Sequence, residues 1–428
     1  MKINKLHKTP FLLVIILSIN LSVLGQADIS SPYSRFGLGM ISDNPANTMM
    51  KGMGGLSNAI LGGNILNPAN PASYAFIDSL TFLLDAGFYI KMASYRTMEM
   101  SENGSNASFD YASMGFGVTK WWKMGIGIAP YSSRDYNVVV DLYNPGSYSI
   151  NFTGDGGLNQ AFFANGFRIT KNISVGAKVS YVFGTLSTET MIYYPDSTYM
   201  LNGRRTIDMK VSDFKFDYGI IFVLPMKNEY SLTLGLNYTQ EAKINGKRDI
   251  FIRSMFNGFG NSVENPIDTL KYRKDEKVSF KLPQGIGAGV VLKKGERWML
   301  GVDFNWDNWK GFEVNAENDS LQNSWNIAVG GQYKPETTSL SGFLRKMTYR
   351  AGFHYDRTYF NIYDQSIDKF GFTIGLGIPF PRSLTSFNVA LEFGKMGTIE
   401  HDLIRENYFN ISIGMSIHDR WFVKRKYK

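Results

Sequence analysis

The chain of 428 residues contains no cysteine. That excludes a disulfide framework and any Cys-ligated zinc or iron–sulfur centre. It also leaves no thiol for a lipoprotein anchor. Histidine is nearly as scarce: only His354, His401 and His418 lie beyond the first few residues. They show no metal-like pair spacing and no nucleophile elbow accompanies them. No catalytic residue, metal ligand or cofactor is therefore expected. Long apolar runs are missing too. After residue 25 nothing approaches the ~18 apolar residues of a spanning helix, so any membrane crossing must use strands.

What is present begins with an export signal. Lys2, Lys5 and Lys8 precede a short apolar core, Phe11–Gly25, broken by Ser18, Asn20 and Ser22. This reads as a cleaved signal over residues 1–25, with Gln26 opening the mature chain. The signal lysines and the tail Asp419–Lys428, with five basic residues, supply much of the formal charge of +8. No nucleic-acid recognition fold accompanies the tail, so it reads as solvated charge at a membrane border and no nucleic-acid partner is expected.

From Ser79 onward the chain alternates with period two. In Tyr230–Thr239 the even positions Leu232, Leu234, Leu236 and Tyr238 are apolar, and the odd positions are Ser, Thr, Gly and Asn. Phe409–His418, Trp298–Trp306, Phe370–Ile378 and Leu80–Met92 repeat the pattern. One apolar face and one small or polar face per strand fits either a soluble sandwich or a lipid-facing barrel. Three features choose the barrel. The strands reach ten residues or more, the face opposite the apolar one is loaded with glycine, and the connections alternate short and long. Short turns fall at 119–123, 170–173, 225–229, 293–296 and 379–383, with a longer one at 335–346. Long loops are expected near 94–107, 133–152, 187–212, 240–277, 308–322, 357–368 and 395–407. Fourteen antiparallel strands follow, with both chain ends expected on the short-turn side, as outer-membrane barrels require. Trp121, Trp122, Trp298, Trp306, Trp309 and Trp421 lie near strand ends, where an aromatic girdle belongs.

Residues 26–78 do not alternate. They are rich in Gly, Pro, Asn and Ser, yet "YSRFGLGMI" (Tyr33–Ile41) and "GLSNAILGGNIL" (Gly55–Leu66) are too apolar for a free linker. They are expected to form a plug on the periplasmic side that packs into the barrel of residues 79–428. Within them "NPANPASYA" (Asn67–Ala75) carries two Asn-Pro units, which cannot lie inside a helix or central strand and read as a stiff turn at the plug's border.

These last residues carry a resemblance. "MGG" (Met53–Gly55), "LNPANPASYA" and the strand opening "IDSLTFLLDAGFY" (Ile77–Tyr89) resemble the start of the FadL-type outer-membrane transport family. The opening "SPYSRFGLG" and the closing "NYFNISIGMSIHDRWFVKRK" look like the versions found in Bacteroidetes-type bacteria. The resemblance implies a fourteen-stranded barrel with an N-terminal hatch whose motif is Asn67, Pro68, Ala69, Asn70, Pro71 and Ala72. It also implies passage of long-chain fatty acids or other hydrophobic compounds across the outer membrane, with a sideways exit where a strand is kinked. Related barrels look instead like accessory subunits of assembly or secretion complexes. Outer-membrane lipid, a hydrophobic small molecule such as a fatty acid, and other outer-membrane or periplasmic proteins are thus the partners to expect.

Candidate site residues follow. Arg35, Phe36, Leu38, Lys51, Met53 and Leu56 are placed to pack the hatch or to touch a ligand, Arg35 or Lys51 answering a carboxylate. Asp85, Lys91, Lys178, Asp303, Asp307 and Glu392 fall on the inner face as a lumen charge network. Ile250, Phe251, Ile252, Met255, Phe256 and Phe259 form an apolar cluster in the 240–277 loop, suited to gating or docking.

Overall fold

The computed structural model of the protein describes residues 31–42, 46–142, 148–194, 200–256, 265–314, 317–318, 321–335, 342–362, 364–380 and 383–420. The expected export signal, Phe259 and Trp421 lie outside these residues.

Fourteen antiparallel strands close into one barrel. They are β1 Thr81–Arg96, β2 Ser101–Gly117, β3 Trp122–Ser133 continued by Tyr136–Leu142, β4 Tyr148–Arg168, β5 Ile173–Tyr193, β6 Asn202–Pro225 and β7 Tyr230–Thr239 continued by Ala242–Phe256. The second half comprises β8 Asn265–Leu282 continued by Gly285–Lys294, β9 Trp298–Asp307, β10 Ser324–Tyr333, β11 Thr348–Ile362, β12 Gln365–Pro379, β13 Ser386–Met396 and β14 Arg405–Arg420. Closure comes from β14 pairing β1 from Thr81↔Arg420 to Arg96↔Arg405. Among the described residues no helix is long and apolar enough to cross a membrane.

The alternation sorts the two faces as a lipid-facing barrel requires. On β7, Leu236 is 52% exposed and Tyr238 40%, while Thr233 between such positions is buried. Trp122 opens β3 stacked on Phe167 at 6.2 Å, and Trp298 opens β9 edge-on to Tyr230 at 5.8 Å, both on the short-turn rim. Trp309 departs from the girdle expectation. It is buried inside the barrel, stacked on Tyr359 at 4.4 Å.

The long connections differ most from expectation. The described residues of segment 240–277 are mostly strand: β7 and β8 run on as a hairpin paired from Ala242↔Leu282 to Phe256↔Asn265. Segments 94–107, 187–212 and 357–368 are likewise mostly strand. The reason is a change of phase. On β6, Phe214, Phe216, Tyr218 and Ile220 are exposed, but further along the buried apolar residues are Val211 and Met209, and Lys210 is exposed. In one half of the barrel the apolar set faces outward; in the other half the same strand buries its apolar set inward against a filled lumen. The period persists and the phase inverts, which a period-two reading registers as the end of the strand.

Candidate functional site

Residues 31–42 and 46–78 lie inside the barrel, and glycine is what lets them. From Thr48 to Ala59 the segment passes along the wall against strand order. Thr48 sits at Gly414 of β14, Gly52 at Gly375 of β12, Met53 at Gly352 of β11 and Gly330 of β10, and Asn58 at Gly235 of β7. Asn70 then meets Gly219 of β6, Pro71 and Ala72 meet Gly176 of β5, and Tyr74 meets Gly166 of β4 and Gly125 of β3. At Gly375, Gly352, Gly330, Gly235 and Gly176 the segment's backbone is what comes close; at Gly414, Gly219 and Gly125 it is the side chains of Thr48, Asn70 and Tyr74. A Cβ on Gly352 would stand 2.2 Å from the Met53 carbonyl carbon, and one on Gly176 would stand 2.3 Å from the Ala72 nitrogen. The inward glycines are therefore a seat for this segment.

The repeated Asn-Pro-Ala units hold it closed. Asn67 Nδ2 donates to the carbonyls of Ser57 (2.6 Å) and Ile60 (2.9 Å), and its Oδ1 accepts from Ala69 N–H (3.1 Å). Asn70 repeats the geometry: Nδ2 donates to Asn58 O (2.7 Å), and Oδ1 caps the short 3₁₀ turn Pro71–Phe76 by accepting from Ala72 N–H (3.1 Å). Each proline fixes the extended turn that presents its Asn. Both asparagines are fully buried, so the motif is the interior tie of the segment and not a border turn.

The inner-face charges do not form one network. They divide into local pairs, several of them aimed at the segment. Asp85 accepts from Asn47 Nδ2 (3.1 Å) and Tyr111 OH (2.9 Å), and Asp303 accepts from the backbone N–H of Ser57 (2.6 Å) and Asn58 (2.8 Å). Lys178 donates to Pro68 O (2.9 Å) and pairs with Asp217 (3.2 Å). Lys91 pairs with Glu406 at 2.5 Å. Glu392 lies 3.0 Å from His354, which also meets Asp356 at 2.5 Å. Asp307 lines the cavity described next.

Of the hatch candidates, Leu38, Met53 and Leu56 are buried in packing and Phe36 packs on Phe360 at 6.1 Å. Lys51 is engaged with Asp110 of β2 at 2.6 Å, and Arg35 lies exposed over the Phe36 ring. None of the six lines the cavity. Nor do the 250–256 residues form an exposed loop patch: Ile250, Phe251, Ile252, Met255 and Phe256 are strand residues of β7, with Met255 buried.

Tyr74 is fully buried, and its hydroxyl has no hydrogen-bond partner among the described residues. Burial pushes its ionisation well above the usual tyrosine range. An unmet buried hydroxyl costs about 1–3 kcal/mol. Tyr74→Phe is therefore expected to leave the thermal unfolding midpoint unchanged or raise it, and a fall of several degrees would contradict this account.

The segment's first part is not on the periplasmic side as expected. It rises into the half of the lumen bounded by the long connections. Ser31 Oγ donates to Glu406 (3.0 Å), the Tyr33 hydroxyl to Ile404 O and Arg134 to Gly37 O. Burial pushes the Tyr33 hydroxyl up to about 12. Met40 and Ile41 form a two-residue strand on Ser133 and Ser132 of β3. They can do so because β2 leaves β3: that ladder runs only from Gly117↔Lys123 to Ala112↔Ile128. Pro130 follows, with a bulge before Ser132, and a proline cannot serve a central ladder. A lateral seam results, with the Lys51–Asp110 pair at its β2 edge. On its outer side an apolar groove is lined by Met114, Ile126, Ile128 and Phe163.

Beside the seam lies a cavity of about 230 Å³. Met40, Ile41, Tyr131, Trp309, Tyr359 and Phe360 give it an aromatic and aliphatic side, and Lys178, Lys215 and Asp217 a charged one. The Tyr359 hydroxyl donates to Gly39 O (2.7 Å) and accepts from Ile41 N–H (3.1 Å), fixing the two-residue strand against it. Of these, sequence reading named only Lys178, as a lumen charge, and Trp309, as a girdle residue; the others it missed. Pro130, inside an otherwise regular strand, was the one available signal.

A family model described as BamG matches residues 6–428. The chain belongs to the BamG family. Among solved structures, this BamG-family chain is similar to a Pseudomonas aeruginosa FadL homologue: TM-score 0.59, 14% identity, covering 90% of this chain and 100% of that one. It is also similar to the P. putida toluene transporter TodX (TM-score 0.58, 15% identity, 89% and 99% covered). The Ralstonia pickettii toluene transporter TbuX gives 0.56, 13%, 88% and 98%. No curated protein matches it in sequence. At these identities the likeness establishes the FadL-type fold, and the family shown is BamG.

Proposed function

We propose that this BamG-family barrel sits in the outer membrane, after removal of residues 1–25, and passes small hydrophobic molecules sideways into the membrane. Residues 26–78 act as its hatch. The observation that carries this reading is the apolar-sided cavity next to the β2–β3 seam, with Met40 and Ile41 belonging to both. Its 230 Å³ is below the ~300–1,000 Å³ of pockets for drug-sized ligands. A single-ring hydrocarbon suits that volume better than a long-chain fatty acid, and the toluene transporters of the same fold support the choice.

The absence of cysteine supplies a clean test. Met40 and Ser133 are paired Cα partners, and antiparallel partners lie ~4.5–5.5 Å apart, within disulfide range. In the Met40→Cys/Ser133→Cys protein, oxidation is expected to cut toluene uptake about tenfold and reductant to restore it. Equal uptake in both redox states would sink the lateral route.

A second reading rests on the family name alone, since BamG points to an outer-membrane complex. Mild-detergent purification from the native membrane separates the two. A stoichiometric protein partner without bound hydrocarbon supports the subunit role, and hydrocarbon on an isolated monomer supports passage.

A further inference from the structure

Beyond the lumen, the outer face of the long hairpins carries lysines set opposite one another across the ladder. Lys247 of β7 lies directly opposite Lys210 of β6 on one side and Lys277 of β8 on the other. Two rungs nearer the lipid-facing residues, Lys243 lies opposite Lys281. Like charges facing each other across a ladder are destabilising. Between the two lysine rungs stand Asn245 and, opposite it, Ser279, both polar.

All five lysines are exposed and point away from the barrel interior, alternating with the buried Val211, Ile244, Val278 and Phe280. The carboxylates on this surface take three of the five lysines, and a further one, Asp213, accepts from Asn245 Nδ2 (3.1 Å) between the two lysine rungs. Asp249 takes Lys210 (2.9 Å), Asp275 takes Lys247 (3.2 Å) and Glu241 takes Lys281 (2.8 Å). Lys243 and Lys277 have no carboxylate partner among the described residues. Asp208, opposite Asp249, lies on the far side of the three-lysine rung. The lysines thus occupy the side nearest the lipid.

Their height decides the ligand. Lys210 is four residues past the exposed Phe214, about 13 Å along the strand at ~3.3 Å per residue. An outward cationic row just beyond an aromatic border meets the head-group layer of the membrane that holds the barrel, and it offers a phosphate several ammonium donors. We infer that the Lys210–Lys247–Lys277 rung, with Lys243 and Lys281 beneath it, binds the phosphorylated head group of an outer-leaflet lipid.

The inference rests on the membrane placement proposed above. The test uses the full mature chain in detergent micelles, with bis-phosphorylated lipid A, its dephosphorylated form and inorganic phosphate as probes. The phosphorylated lipid is expected to bind at least tenfold tighter than the dephosphorylated one. Lys210→Gln/Lys247→Gln/Lys277→Gln should abolish that preference, while Lys120→Gln/Lys171→Gln/Lys227→Gln on the opposite rim keeps it. All eight positions of interest are surface residues, and retained heat-modifiable gel mobility shows that each variant is folded. Equal binding of both lipids, an unaffected triple variant, or full competition by millimolar inorganic phosphate would overturn the inference. A wild-type chain that fails to enter membranes would overturn the placement instead, so the two failures are distinguishable.

Discussion

Gly176→Val/Gly352→Val is expected to release the N-terminal segment from its seat while the barrel wall still forms. Valine suits a strand better than glycine does, so the wall itself loses nothing. The segment has no room to yield. The new Cβ atoms would meet the Ala72 nitrogen at 2.3 Å and the Met53 carbonyl carbon at 2.2 Å, and those are backbone atoms. Overpacking costs about 1–3 kcal/mol per site where flexible side chains can give way. Here they cannot, and the pair is expected to exceed the stability of the seating. Trypsin should then cut at Lys51, whose ammonium is otherwise held by Asp110. Heat-modifiable gel mobility should persist, and leakage of small solutes through reconstituted barrels should rise at least tenfold. Gly203→Val is the control, since nothing lies within 4 Å of a Cβ there. Protection at Lys51 equal to that of the unmodified chain would show that the glycine seat is not what the segment depends on.

Much of the wall was legible because its physics is local and periodic. The outward residues of β7 and β14 are apolar and the inward ones small, so strand number and short turns could be read from alternation and punctuation alone. The upper barrel was not legible, because its strands invert their apolar phase part-way along. On β6 the apolar set passes from Phe214 to Val211 without interruption of the ladder, so a residue that reads as loop is still paired. The candidate site was less legible still. The glycines at 235, 375 and 414 read correctly as a crowded interior, while those at 176 and 352 were not singled out, and which residues crowd them depends on contacts across hundreds of positions. Met40, Trp309 and Tyr359 meet at the cavity from three distant parts of the chain. Nothing periodic marks them. Lys51, which the sequence offers as a ligand cation, is engaged by a carboxylate 59 residues away.

The second large effect is expected at Asn67 and Asn70. Both side chains use their amide in the same way. The oxygen accepts from the N–H two residues on, and the nitrogen ties the turn to carbonyls of the 57–60 bend. Asn67→Ala/Asn70→Ala leaves the carbonyls of Ser57, Asn58 and Ile60 and the N–H groups of Ala69 and Ala72 without these bonds inside a buried segment. At about 1–3 kcal/mol for each unmet group, the loss is on the order of 5 kcal/mol even after partial relaxation. The prolines remain, so the chain keeps its extended turns but loses what holds the two halves of the circuit together. Amide hydrogen exchange over residues 46–78 is expected to accelerate at least a hundredfold, while β4 and β5 keep their protection. Asn67→Asp/Asn70→Asp separates the two uses of the amide: a carboxylate can still accept from Ala69 and Ala72 but cannot donate to the bend. If the Asp pair behaves like Ala, the donated bonds carry the tie; if it behaves like the unmodified chain, the caps do. Unchanged exchange in the Ala pair would mean that the glycine seat alone holds the segment.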